Sequence, residues 1–360
     1  MVLLRTLVVA TKRGLSTLAT GLSMRTGVPV GKPTMVYIQV TDKCNSRCPM
    51  CDIWKRYDTV RHIEFEIIKK RIDDIHDWLG RTHIQLGTGE PFLHPDIMKI
   101  VEYGNSKGML MGTVTNALLI NDRIARGIIA NNFFNLNISL DGVKPETHAF
   151  TRGIPNAYDR VMEAIDRLLF YKKELNGGTR IMLKPIIFNG NIDQLIPLVE
   201  FAKEKGLSGV NFQPVQLINE QCRKMLVFED PEKLRGTIAE LKEMKKRGYP
   251  ILNTDRELDA FIQYFEKPDR RPPLLDKKCP VGYSNLWVLD GGVVHFCTLI
   301  DAPVGHVNDF GSFKKLWRSG AAKKVRKRIA ACKRPCLAVC LIRRTLREQI
   351  KRFLTFMRSH

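Results

Sequence analysis

The chain has 360 residues, 44% of them hydrophobic, enough for one large domain with an appendage or for two domains. Its net charge of +21 is unevenly placed. Residues 1–33 carry five Lys or Arg and no acid, residues 314–360 carry sixteen against Glu348 alone, and residues 34–313 are almost neutral. Nine cysteines, eight of them in two spaced groups, do not make a disulfide framework for a chain this long. They point to metal in a reducing compartment, the cytoplasm.

In chain order, the first element is a basic amphipathic segment within residues 1–33. On a helical wheel Leu4, Leu7, Val8, Leu15, Leu18 and Leu22 share a face, while Arg5, Lys12 and Arg13 lie off it. The apolar run Leu7 to Ala10 is too short to span a bilayer, and no convincing signal-peptide cleavage site follows it. Near the other end Ile342, Leu346, Ile350, Phe353 and Met357 form a second stripe, flanked by Arg343, Arg347, Lys351 and Arg358. The expectation is that both helices dock in the plane of an anionic membrane surface at its cytoplasmic face. The alternatives are helices that cap the ends of the fold with solvated charges, or contact with nucleic acid.

Between the ends, strand-like runs at 35–40, 83–86, 111–115, 134–140, 181–188 and 209–215 alternate with helical stretches near 64–79, 95–107, 121–131, 157–174 and 192–205. Another helical stretch follows at 231–247, with Asn121 and Asp193 as expected caps and Gly206 as a stop. Six such units predict an α/β fold, a partial (β/α)6 barrel over residues 34–266 with its functional loops at the carboxyl ends of the strands. A charged, Pro-rich link (Lys267 to Pro273) leads to a smaller Cys-containing region, 274–341, before the C-terminal helix, 342–360. There Asp290-Gly291 stands between two apolar runs, predicting a β-hairpin flanked by Cys279 and Cys297. Cys332, Cys336 and Cys340 follow, and Cys222 stands alone as an expected core thiol.

Three motifs carry chemistry. Cys44, Cys48 and Cys51 follow the first strand in the spacing C-x3-C-x2-C. Three thiolates can hold three irons of a [4Fe–4S] cube and leave the fourth open to a ligand; a zinc knuckle is the alternative. Gly87-Thr88-Gly89-Glu90-Pro91 follows the second strand, where glycines let the backbone approach a ligand and Glu90 suits an ammonium group. Thr115-Asn116, then Ser139-Leu140-Asp141-Gly142, close the next two strands, and Arg152 follows.

Together these resemble the radical S-adenosylmethionine (radical SAM) enzymes. Thr88 replaces one glycine of the family's G-G-E-P motif, and Met50 stands where the family commonly has a large side chain beside the adenine. The resemblance implies that the open iron binds S-adenosylmethionine, with Gly87, Thr88, Gly89 and Glu90 at its amino end. It further implies Ser139 near the ribose, Arg152 on the carboxylate, and Asn116 and Asp141 as additional contacts. Reduction by a donor such as a flavodoxin or ferredoxin would then yield a 5′-deoxyadenosyl radical that abstracts hydrogen from a substrate. The C-terminal region resembles the SPASM or shorter twitch extension, including Gly305-His306-Val307 and Phe313 to Trp317. This implies one auxiliary [4Fe–4S] cluster held by Cys279, Cys297 and two of Cys332, Cys336 and Cys340; the alternative is zinc or free thiols. The basic ends favour a lipid or lipid-linked substrate. A peptide maturase and an RNA-modifying enzyme are the competing readings, and with no recognisable RNA-binding module nucleic acid is not the expected partner. A catalytically silent homologue is a fourth reading, opposed by the presence of all three loop cysteines and Glu90.

Overall fold

The computed structural model describes residues 2–55, 61–228, 230–270 and 279–337, and of residues 2–10 and 13 the backbone alone. The stripe from Ile342 to Met357 and Cys340 therefore lie outside the described residues, as do the side chains of Leu4, Leu7 and Val8.

The strands are β1 (Met35–Gln39), β2 (His83–Gly87), β3 (Leu110–Thr115), β4 (Asn135–Ile138), β5 (Arg180–Leu183), β6 (Ile186–Ile187), β7 (Gly209–Val210), β8 (Gln213–Pro214), β9 (Asn285–Leu289), β10 (Val293–His295) and β11 (Gly305–His306). One sheet runs in the order β11-β10-β9-β1-β2-β3-β4-β5-β7, and β6 pairs with β8 beside it. Neighbours from β9 across to β7 are parallel, whereas β9, β10 and β11 are antiparallel. The last two expected strands each divide. The first breaks at Lys184-Pro185, where proline has no N–H to continue a ladder.

Helices Phe65–Leu79, Ile97–Ser106, Asp122–Ala130, Ala157–Glu174, Leu195–Glu204 and Pro231–Lys246 fill the expected places. Asn121 caps its helix by accepting the Ile124 N–H at 3.0 Å, and Gly206 takes the left-handed conformation (φ 64°) that ends another. Asp193 does not cap. It lies inside the short turn Ile192–Gln194 and pairs instead with Lys144 at 2.7 Å. Helices Pro145–Arg152, Glu220–Leu226 and Asp255–Glu266 escaped the sequence reading, although Thr254 and Glu257 form a reciprocal capping box at the start of the last.

Register decides which side of the sheet holds the core. Ile38, Leu86, Thr113, Leu136 and Ile181 stand in one row, and nearly all are fully buried, in one cluster with Ile68, Ile72 and Ile75 of the helix Phe65–Leu79. The adjoining row is Tyr37, Gln85, Gly112, Asn135 and Arg180. Because crossover helices cover the apolar face, this polar row faces the barrel interior. Tyr37 stacks on Trp287 there, ring centroids 3.8 Å apart and nearly coplanar.

The C-terminal hairpin forms as expected, with Asp290 (φ 45°) and Gly291 (φ 71°) both left-handed at its turn. It is continuous with the barrel, since β9 adds directly to β1. Arg71 holds the turn to the barrel by donating to Gly291 O (2.7 Å) and Asn308 Oδ1 (3.1 Å). At the other side of the sheet, Arg334 donates to Leu299 O (2.5 Å) and Leu217 O (2.7 Å), joining the loop after β10 to the loop after β8. Gln216 and Leu337 exchange two further hydrogen bonds. Arg334→Ala should cost the strap about 2 kcal/mol and raise amide exchange in residues 332–337 about thirtyfold. Hydrogen-exchange mass spectrometry of those residues reads this directly.

Candidate cluster and cofactor site

Cys44, Cys48 and Cys51 lie on an irregular, half-buried loop beyond β1. The neighbouring strand ends fix it through backbone contacts. Glu90 N donates to Lys43 O at 2.7 Å, and Arg47 N donates to Arg152 O at 2.8 Å. Two glycines allow this closeness. A Cβ on Gly89 (φ 56°) would collide with the Lys43 carbonyl, and one on Gly153 (φ 64°) with that of Arg47. Trp54 Nε1 and Asn219 Nδ2 complete the frame, donating to Cys48 O (2.9 Å) and Pro49 O (3.1 Å).

Burial pushes the Cys44 thiol up to about 12, and those of Cys48 and Cys51 upward as well. Loading iron must therefore release protons. Arg152 opposes the shift at Cys48, with Nη1 3.8 Å from its sulfur. Among the described residues no three His, Cys, Asp or Glu side chains converge on one point as ligands of a single metal ion. In an iron–sulfur cube each thiolate takes a separate iron, so such convergence is not required.

The structure brings together most of the residues singled out from sequence, in roles that sequence left open. Glu90 is fully buried and accepts from Thr115 Oγ1 (2.7 Å), Asn116 N (2.8 Å) and Phe92 N (3.3 Å). That leaves its carboxylate room for another donor. Asn116 turns its side-chain amide to Asn45 Oδ1 (2.7 Å) and Ser46 Oγ (2.8 Å), bracing the cysteine loop. Arg152 and Asp141 form a buried ion pair with each other, and the Arg152 Nε–H has no hydrogen-bond partner among the described residues. This spare donor fits the expected carboxylate. His148 lies behind the pair, accepting from Asp141 N at 3.3 Å; burial holds its pKa down at about 3, so it stays neutral. Ser139 is partly accessible at the end of β4, and Gly87 and Thr88 at the end of β2, where the Thr88 hydroxyl donates to Thr41 O at 3.3 Å. The three thiols, a retained carboxylate and a spare guanidinium N–H suit a cluster and an amino-acid-bearing cofactor.

In the C-terminal region Cys297 and Cys332 lie within electrostatic reach of one another, and Cys279 lines the same cavity as Ile329 and Ala330 of helix Gly320–Ala330. Cys336 sits nearer Tyr264. Cys222 is fully buried, its sulfur 3.8 Å from Met50 O, as expected of a core thiol.

Residues 38–196 match the model of the Radical SAM superfamily. The chain carries a radical SAM domain. Iron–sulfur cluster and S-adenosylmethionine chemistry come with that domain, and the C-terminal hairpin and cysteines resemble those of its SPASM/twitch subgroup. A curated relative, the AdoMet-dependent heme synthase of Methanosarcina barkeri, is 26% identical over 48% of this chain and 48% of its own length. The chain thus spans about half the length of that relative. Among solved structures, Streptococcus suis SuiB superposes with a TM-score of 0.66 at 14% identity, over 85% of this chain and 70% of that one. The structure of anSMEcpe with bound AdoMet gives 0.60 at 16% identity, over 90% and 98%. At these identities the likeness is one of fold.

Sequence reasoning missed the polar barrel interior of this radical SAM fold. Asn135 links His83 Nε2 (2.9 Å) to Gln85 Oε1 (3.3 Å), and the Gln85 Nε2 amide is buried without a partner among the described residues. Amides at alternate positions of buried parallel strands, as at Asn135 and Asn137, were the available signal, because such strands are usually apolar throughout.

Two outcomes follow. Gly153→Ala should force the Arg47 carbonyl away and lower the iron content of the reconstituted protein, read by iron assay and visible absorption. In the iron-free chain burial raises Glu90 to about 7 from an ordinary 4.5. Between those values the native carboxyl keeps a proton that the unfolded chain releases, so stability falls as pH rises through that window. Glu90→Gln should flatten this slope in denaturant midpoints measured from below 4.5 to above 7.

Proposed function

We propose that this radical SAM protein abstracts hydrogen from a lipid-linked substrate presented at the cytoplasmic face of a membrane. The observation that carries the reading is the leucine ridge of helix Val2–Thr26. The helix packs through small and polar residues on helix Val281–Ser284, where Thr20 Oγ1 donates to Tyr283 O at 3.4 Å, and reaches the barrel through Lys12. Thr20 and Ser23 are buried, a Cβ on Gly31 would press against Ala19 at 3.0 Å, and Lys12 Nζ donates to Leu79 O at 3.3 Å. Leu15, Leu18 and Leu22 point elsewhere and are 65%, 60% and 50% exposed, with Val28 and Val30 exposed just beyond. An apolar ridge between basic segments is the pattern of an in-plane membrane contact. No helix among the described residues is long and apolar enough to cross a membrane.

The barrel interior supports a polar head group as the reacting part. Gln85, Asn135 and Asn137 offer amides, and Tyr37 on Trp287 offers a flat aromatic surface. When bound, the cluster and S-adenosylmethionine supply the 5′-deoxyadenosyl radical. The chain's own residues hold the cysteine loop, keep Arg152 charged beside Cys48 and orient the head group away from water. A peptide is the second reading, favoured by the fold likeness to SuiB, which has been crystallised with its precursor peptide SuiA.

Reduced anaerobically, the protein should form 5′-deoxyadenosine, and Cys48→Ala should abolish it. On anionic vesicles the triple change Leu15→Glu, Leu18→Glu, Leu22→Glu should remove about 1 kcal/mol per leucine, or about a hundredfold in partitioning. The cluster absorption should not change. Equal sedimentation of both proteins with vesicles would sink the membrane reading, and turnover of a peptide by both would favour the alternative.

A further inference from the structure

Beside the foot of the leucine ridge, a cavity of about 280 Å³ opens between the end of helix Val2–Thr26, helix Val281–Ser284 and helix Gly320–Ala330. Its wall contains Arg25, Lys323, Arg326 and Lys327 and, among the described residues, no acidic side chain. Lys323, Arg326 and Lys327 are spaced i, i+3, i+4, so they share one helix face and repel one another. Arg25 and Lys327 lie in the last turns of their helices, where a cation complements the helix dipole. That exposed, screened effect accounts for the rim and does not account for Arg326.

Arg326 is only 4% exposed. Its Nε donates to Gly282 O at 2.7 Å, and its guanidinium lies 5.1, 4.8 and 4.6 Å from the ring centres of Tyr283, Phe296 and Trp317. Its Nη2 is buried without a hydrogen-bond partner among the described residues. A desolvated guanidinium with no acid in the wall has no counter-ion among the described residues. Aromatic stacking holds the fork in one orientation, as recognition of a phosphate requires.

We propose that this cavity is a phosphate-binding site, taking a phosphomonoester or diphosphate group against Arg326 with Lys323, Lys327 and Arg25 closing the rim. The rim charges match the oxygens of such an anion, and the Arg326 side chain, held by its ring contacts, forms part of the wall beneath them. Leu22 precedes Met24 and Arg25 of the cavity wall by less than one helical turn. A phosphate-bearing amphiphile could therefore place its anion in the cavity and its chain along the ridge. The site does not depend on the lipid reading, because a water-soluble phosphate meets the same groups.

The test uses the iron-loaded full chain and inorganic pyrophosphate, titrated by calorimetry at physiological salt. Saturable binding is expected, weakened about tenfold or more by Lys323→Ala with Lys327→Ala and unchanged by Lys233→Ala, an exposed control on helix Pro231–Lys246. Iron content and cluster absorption should be equal in all three. Vesicles distinguish the sources of phosphate. A lipid headgroup is the source if phosphatidic acid vesicles compete with pyrophosphate and phosphatidylcholine vesicles do not, and a soluble phosphate if neither competes. The absence of saturable pyrophosphate binding, or equal losses in the control and the double variant, would overturn the proposal. So would loss of iron in the double variant without pyrophosphate binding by the unaltered chain, since the charges would then serve Cys279 and its neighbours.

Discussion

The loop carrying Cys44, Cys48 and Cys51 has almost no regular structure of its own, so the positions of its three sulfurs are borrowed from the strand ends around it. The backbone of Lys43 is held by Glu90, the backbone of Arg47 by Arg152, and both contacts exist because Gly89 and Gly153 lack side chains. Motifs that sequence treats as ligand contacts are therefore also the mould for the cysteine loop. Asn116 bracing Asn45 and Ser46 belongs to the same frame. Each group serves twice, which is economical and leaves few residues in the loop's surroundings free to change.

The barrel was legible because its strands and helices alternate with the right lengths, and the hairpin because Asp290-Gly291 demands a left-handed turn. Asp193 misled because an acidic residue before an apolar stretch resembles a cap, while its side chain prefers Lys144 across the gap. The pairing of Asp141 with Arg152 could not be read from a separation of eleven residues. It depends on the helix Pro145–Arg152 folding back over the end of β4. The exposed leucine ridge shows a different limit. A wheel finds the stripe, but the face that seats the helix turned out to be the small, polar one through Thr20 and Ser23, and only the packed structure shows that.

Two charge environments divide the molecule. Beside the cysteine loop Arg152 and Asp141 are paired and buried. At the far end of the first helix Arg25, Lys323, Arg326 and Lys327 collect with no acid beside them among the described residues. Charges from the two basic ends thus meet at this place, and salt would weaken long-range attraction there while affecting the buried pair far less.

The direct pairing of β9 on β1 also bears on how the chain is made. Thr34, just before β1, and Ser284, just before β9, are hydrogen-bonded across 250 residues of sequence. At about 5–20 residues per second, the first strand waits roughly ten to fifty seconds for one of its two neighbours to leave the ribosome. Until then β1 presents an open edge. The contacts that hold the three thiols come from residues no later than Asn219, so what waits for β9 is the edge of β1 and not the cysteine loop.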